Sequence, residues 1–139
     1  MSDDAMAASD TINQLMLDIP CLPNPDLSAN GRRSRHFMEQ AEDIKTERLA
    51  AALILKAAKP DIILGPPLGL HWTLYWPKGT RARDADACAD MIKPWIDAMK
   101  DIGWLPNDSP RYVRTVSYTS VPSSPKGPSM TLTIEQDGR

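Results

Sequence analysis

The amino-acid sequence predicts one small α+β domain in the order β-α-β-α-β-β, a sheet of about four strands packed against two helices. Three observations carry that expectation. The chain has 139 residues, enough for one core that buries roughly two-thirds of its unfolded surface and short for two. Segments with strand-like alternation trade places along it with two segments of helical periodicity. Hydrophobic residues make up 42% and charged residues 24%, a composition that argues against a disordered or fibrous chain.

The elements follow in order. Residues 1–10, "MSDDAMAASD", are small, polar and acidic and are expected to be disordered, with the domain over residues 11–137. "INQLMLDIP", Ile12–Pro20, is a short apolar segment closed by proline and reads as the first strand. "CLPNPDLSANGRRSRH" then forms a loop longer than a connector needs. From about His36 to Ala58, Phe37, Ala41, Ile44, Arg48, Leu49, Ala52, Leu55 and Lys56 fall near helical spacing, and Pro60 ends the first helix. In "LGLHWTLYW", Leu68, Leu70, Trp72, Leu74 and Trp76 alternate with Gly69, His71, Thr73 and Tyr75, the clearest strand in the chain.

A second helix spans roughly Ala87–Ile102, with Cys88, Ile92, Trp95, Ile96, Met99 and Ile102 in one apolar stripe and Gly103 as its stop. Pro94 falls inside it and removes one backbone hydrogen bond. "YVRTVSYTSV" and "MTLTIEQ" read as two strands joined by "PSSPKGPS", an expected antiparallel hairpin.

Several function classes are unsupported. Cys21 and Cys88 have no CxxC spacing and no His grouping, so neither a disulfide framework nor a structural zinc site is indicated. No apolar run is long enough to span a bilayer and no secretory leader is present, which points to the cytoplasm. P-loop and dinucleotide motifs are absent. His36 and His71 have no nucleophilic Ser or Cys motif beside them. Trp72, Trp76 and Trp95 lie on apolar faces and read as core, whereas Trp104 sits in a turn.

The formal charge is −2, yet "GRRSRH", "PKGTRAR" and "RYVR" are locally basic. The acidic residues form a pattern of their own in "RDADACADMIK". Asp84 and Asp86 stand two apart, and in extended geometry their side chains point the same way. On a helix beginning near Asp86, the residues Asp86, Asp90, Lys93 and Asp97 share one side, opposite the apolar stripe. Asp108, in the turn after the helix, is a third carboxylate that a returning strand would bring to the same end of the sheet. Three such acids suit Mg²⁺ or Mn²⁺, ions that activate water against a phosphodiester. The plainer reading gives one of Asp84 and Asp86 a helix-capping role and Asp108 ordinary turn chemistry.

The block "RDADACADMIKPWIDAMKDIGWLPNDSPRYV" resembles the signature of RusA-type Holliday junction resolvases, crossover junction endodeoxyribonucleases of phages and prophages. The "LDIPCLPNPDLSANGRRSRH" stretch is similar to that family's proline-rich first strand and Ser-x-Asn loop. By position, Asp84, Asp86 and Asp108 match the three metal-binding aspartates and Lys93 the catalytic lysine. Ala87 stands where an asparagine usually follows the second aspartate, Asn107 replaces the first acid of an Asp-Asp turn, and the gap to Lys93 is three residues longer. The resemblance implies a RusA-like fold, a homodimer, and Mg²⁺-dependent paired nicking of four-way junctions in DNA recombination and repair. Arg32, Arg33, Arg35, Lys78, Arg81 and Arg83 would then contact DNA phosphates. Two rivals remain: a catalytically silent junction-binding protein on the same scaffold, and a nucleotidyltransferase, for which the upstream Gly-Ser motif is missing.

Overall fold

Alternation in "LGLHWTLYW" dictates the centre of the fold. The computed structural model describes residues 13–27, 37–58 and 64–137; the acidic tail and the loop residues Arg32, Arg33 and Arg35 lie outside them. The second strand, β2 (Leu68–Tyr75), turns Leu68, Leu70, Trp72 and Leu74 into the core and leaves His71, Thr73 and Tyr75 half-exposed on the other face. It is paired on both edges. The mixed sheet has the order β1-β4-β2-β3, with β1 at Gln14–Ile19, β3 at Val113–Val121 and β4 at Ser129–Gln136. Strand β4 is antiparallel to both β1 and β2, and β3 runs parallel to β2.

This pairing corrects one expectation. β3 and β4 do not form a hairpin, because β2 lies between them. The connecting loop turns back against the end of β2: Ser124 N–H donates to the Trp76 carbonyl at 2.8 Å, and Gly127 N–H to that of Ser124 at 3.1 Å. A parallel β2–β3 pair requires a crossover, and the second helix supplies it.

Two helices share one core with the sheet. The first, α1 (Phe37–Ala57), buries Ala51 and Leu55, but Ala41, Leu49 and Lys56 face solvent. The stripe read from the sequence therefore mixed two faces, because the helix's second half, "LAAALILKA", is apolar nearly all round. The second, α2 (Cys88–Asp101), buries Cys88, Met91, Ile92, Trp95, Ile96 and Met99 and runs unbroken through a buried Pro94. It ends as expected, with Gly103 at φ +85° and Trp104 N–H donating to the Met99 carbonyl at 2.9 Å. Glu47 of α1 ties the helices together, accepting from Trp95 Nε1 at 2.8 Å and from Asn24 N–H at 3.0 Å on one carboxylate oxygen. The next residue, Arg48, grips Asp101 through two 2.6 Å bonds.

No helix among the described residues is long and apolar enough to cross a membrane. Trp72, Trp76 and Trp95 are all buried, in line with their core assignment, and Cys21 and Cys88 are free thiols.

Gly127 marks the closest approach in the β3–β4 connection. A Cβ there would stand 2.4 Å from Pro77 N and 2.6 Å from the Trp76 carbonyl carbon, both backbone atoms. Gly127→Ala is expected to destabilise the fold by about 3 kcal/mol, the upper end for overpacking, because the obstacle cannot rotate away. Urea denaturation of the variant beside the wild type reads this directly.

Candidate active site at the head of the second helix

The loop after β2 brings three cations to the start of α2. Lys78 and Arg81 are exposed, and Arg83 is half-buried with its guanidinium donating to the Arg81 carbonyl at 3.3 Å. Ser120 Oγ of β3 donates to the Arg83 carbonyl at 2.5 Å and accepts from Trp76 Nε1 at 2.9 Å. The last residues before Asp84 are thus pinned to the edge of the sheet.

From there the chain makes one 3₁₀ turn, Ala85–Ala87, and passes into α2. Asp84 occupies the cap position with φ −64° and ψ 154°, yet its side chain makes no capping hydrogen bond, and neither does Ala87 at the cap of α2. The capping explanation for Asp84 is therefore not realised. Asp84 and Asp86 are exposed. Cys88 lies behind them, and its thiol is pushed up to about 11 by burial and by these two carboxylates, so it is an inert core thiol rather than a nucleophile.

The lysine and the third aspartate meet. Lys93 Nζ donates to Asp108 Oδ2 at 2.6 Å and stands 3.2 Å from Asp97 Oδ1. Lys100 Nζ lies 2.9 Å from the same Asp97 oxygen and 3.8 Å from Asp108 Oδ2. Two lysines and two aspartates thus form one network along the outer face of α2. The hydrogen bond from Lys93 holds the Asp108 carboxyl below the usual aspartate range, and the same bond raises the lysine. Asn107 shapes the turn that delivers Asp108: its Oδ1 accepts from Ser109 N–H at 2.9 Å. Tyr118 of β3 is half-buried beside this surface, its hydroxyl raised chiefly by burial and also by Cys88 and Asp90, with Lys93 opposing.

The aspartates divide into two environments. Asp84 and Asp86 offer hard oxygen donors to solvent, the chemistry Mg²⁺ prefers, whereas Asp108 is held by lysine. Among the described residues, no three His, Cys, Asp or Glu side chains form a group that could hold a metal ion. Trp104 is half-buried against the core and lines a small dent with Leu64, Pro66 and Tyr112, away from a base-stacking pose.

One constellation escapes a sequence reading. On the open face of the sheet, His71 Nδ1 is 2.6 Å from Ser117 Oγ and its Nε2 2.7 Å from Glu135 Oε1. The three residues come from β2, β3 and β4, and the bare Cα of Gly69 makes room, since a Cβ there would stand 3.1 Å from His71 Nε2. Only the strand register could have revealed this set. It sits mid-strand, where the backbone N–H groups of β2 are committed to the ladders on both sides, so β2 supplies no paired donors for an oxyanion.

No protein-family model matches the chain, and no curated protein matches it either.

Because Asp108 is depressed by Lys93, the pair stabilises the fold at pH values above the ordinary aspartate range, and that contribution is lost as pH falls through the lowered value. Both side chains are substantially solvated, so screening keeps the contribution below about 1 kcal/mol. Lys93→Ala is expected to cost no more than that at pH 7 and to flatten the acid limb of the stability profile, read from urea midpoints between pH 7 and pH 2.

Proposed function

We propose that the chain is a structure-selective endodeoxyribonuclease that cuts branched DNA such as four-way junctions, acting as a homodimer. The observation that carries this reading is the 2.6 Å contact between Lys93 and Asp108, 15 residues apart in the chain. These are two of the four residues that the RusA-type resemblance assigns to one catalytic set, and they meet on the outer face of the helix opened by Asp84 and Asp86. Lys78, Arg81 and Arg83 lead directly into that turn, and cations in this position would hold phosphates without reading sequence. Arg32, Arg33 and Arg35 remain part of the proposed DNA contact.

Hydrolysis adds a water oxygen to phosphorus and breaks one P–O ester bond. An ammonium at the place of Lys93 offsets the charge that gathers on the phosphoryl oxygens. The reading also expects a requirement for Mg²⁺ or Mn²⁺ with Asp84, Asp86 and Asp108 as ligands, and for that Asp108 has to part from Lys93.

The lysine grip on Asp108 favours a second reading, a junction-binding protein that does not cut, in which Ala87 and Asn107 belong to a decayed site. An end-labelled synthetic four-way junction and a matched linear duplex, each incubated with Mg²⁺ and with EDTA, separate the two. Symmetric, metal-dependent nicks in the junction alone are expected. Asp86→Asn should lower cleavage about 100-fold or more while leaving junction binding intact. Binding with no cleavage under any divalent ion would leave the second reading standing and remove the first.

A further inference from the structure

The outward face of α1 carries a pattern that its inward face does not explain. At about 100° per residue, Glu42, Lys45, Leu49, Leu53 and Lys56 all fall within about 40° of Leu49, on the side opposite the buried Ala51 and Leu55. Leu49 is 60% and Leu53 72% exposed. No ion pair or side-chain hydrogen bond among the described residues engages Glu42, Lys45 or Lys56. Glu42, Leu49 and Lys56 are spaced by heptads, with Lys45 and Leu53 between them, so one face of the helix sets two exposed leucines between an acid and two lysines. On this same face Met38, Ala41, Glu42 and Lys45 line a shallow groove. Their spacing, at i, i+3, i+4 and i+7, is that of the four-residue hole that a side chain of a facing helix fills.

We propose that this stripe pairs α1 with the α1 of a second copy of the chain, antiparallel, about a two-fold axis at Leu49. Leu49 then meets the partner's Leu49, Lys45 lays its methylene stem over the partner's Leu53, and Glu42 faces the partner's Lys56. Symmetry repeats the last two contacts, so both charges at each end find an opposite charge. The side chain presented to the groove at Glu42 is the partner's Lys56. A parallel pairing in register would set Glu42 against the partner's Glu42 and Lys56 against the partner's Lys56, a repulsive arrangement at both ends. The stripe is therefore complementary to itself in one direction only. This inference deepens the homodimer of the proposed function, yet it stands on α1 alone and does not need the chain to cut DNA.

The test is the mass of the full chain in solution, by sedimentation or light scattering, over a range of concentrations. The wild type is expected to dimerise and Leu53→Glu to be monomeric with an unchanged far-UV spectrum, since Leu53 is 72% exposed and contributes nothing to the core. Glu42→Lys and Lys56→Glu should each weaken the dimer about tenfold or more, and the double charge reversal should restore it. A wild-type monomer at every concentration, a dimer indifferent to Leu53→Glu, or a double variant no better than the singles overturns the pairing. A dimer with the expected charge pattern that leaves junctions uncut would uphold the pairing and remove the nuclease reading; a monomer that cuts would remove the pairing and the homodimer and leave the nuclease activity standing.

Discussion

Strand β2 is hydrogen-bonded along both edges, antiparallel to β4 on one side and parallel to β3 on the other, and the candidate groups take their places from that constraint. A parallel partner cannot be reached by a tight turn, so the chain between β2 and β3 has to cross the sheet, and α2 is the crossing. Its apolar side closes over Leu70, Trp72 and Leu74, which are fully buried, and its other side is left to water. Everything polar on α2 is consequently displayed in one direction, and Asp108, in the turn that feeds β3, arrives beside it. The cost of so tight a layer is local: Trp72 Nε1 is buried without a hydrogen-bond partner among the described residues, a loss of about 1–3 kcal/mol that the surrounding aromatic burial has to exceed.

On that outward side the charges sort by environment. Lys93 and Lys100 bracket Asp97 and Asp108, so this end of the network is neutral in itself and needs no external counter-charge. Asp84 and Asp86 have no such neighbours among the described residues; they are exposed at the 3₁₀ turn ahead of the helix, directly after Lys78, Arg81 and Arg83 in the chain. An approaching phosphate would meet the loop cations first. Its charge would then compete with Asp108 for Lys93, and each oxygen that took the lysine would free a carboxylate.

How much of this was legible beforehand differs by element, for physical reasons. Periodicity identified β2 and α2 because each has one wet face and one dry face, so the alternation is clean. It placed Asp90, Lys93 and Asp97 along one side of α2 for the same cause, whereas Asp86 falls in the 3₁₀ turn ahead of the helix, and the Lys93–Asp97 contact follows from a four-residue step. For α1 the signal was poor: alanines and leucines surround its second half, and no pattern distinguishes the face that packs from the face that does not. β3 and β4 misled because short range favours the hairpin when two strands follow each other, whereas the insertion of β2 between them depends on pairings 45 to 68 residues away, from Leu68–Val113 to Leu68–Gln136. The Ser117–His71–Glu135 set was invisible for the same reason, since three strands must be in register before any two of its members touch. The three aspartates were matched by resemblance rather than by geometry, and spacing alone could not say that a lysine would reach Asp108 first.

Helix α1 links these observations. Its inward face meets α2 through Glu47 and Arg48, which hold Trp95 and Asp101, while Leu49, the very next residue, points away from the protomer. A two-fold axis at Leu49 would therefore lie one residue from the anchors of α2. Side chains that are doubly bonded and backed by a buried indole leave little freedom between the two faces, so a pair of α1 helices would carry two α2 helices in a fixed relation. Two candidate sites related by a two-fold axis match the symmetry of a four-way junction, whose opposed strands are equivalent under the same operation. The geometry of the pair would then be decided by the outward stripe of α1 around Leu49, and the chemistry by the charged face of α2, with Glu47 and Arg48 as the connection between them.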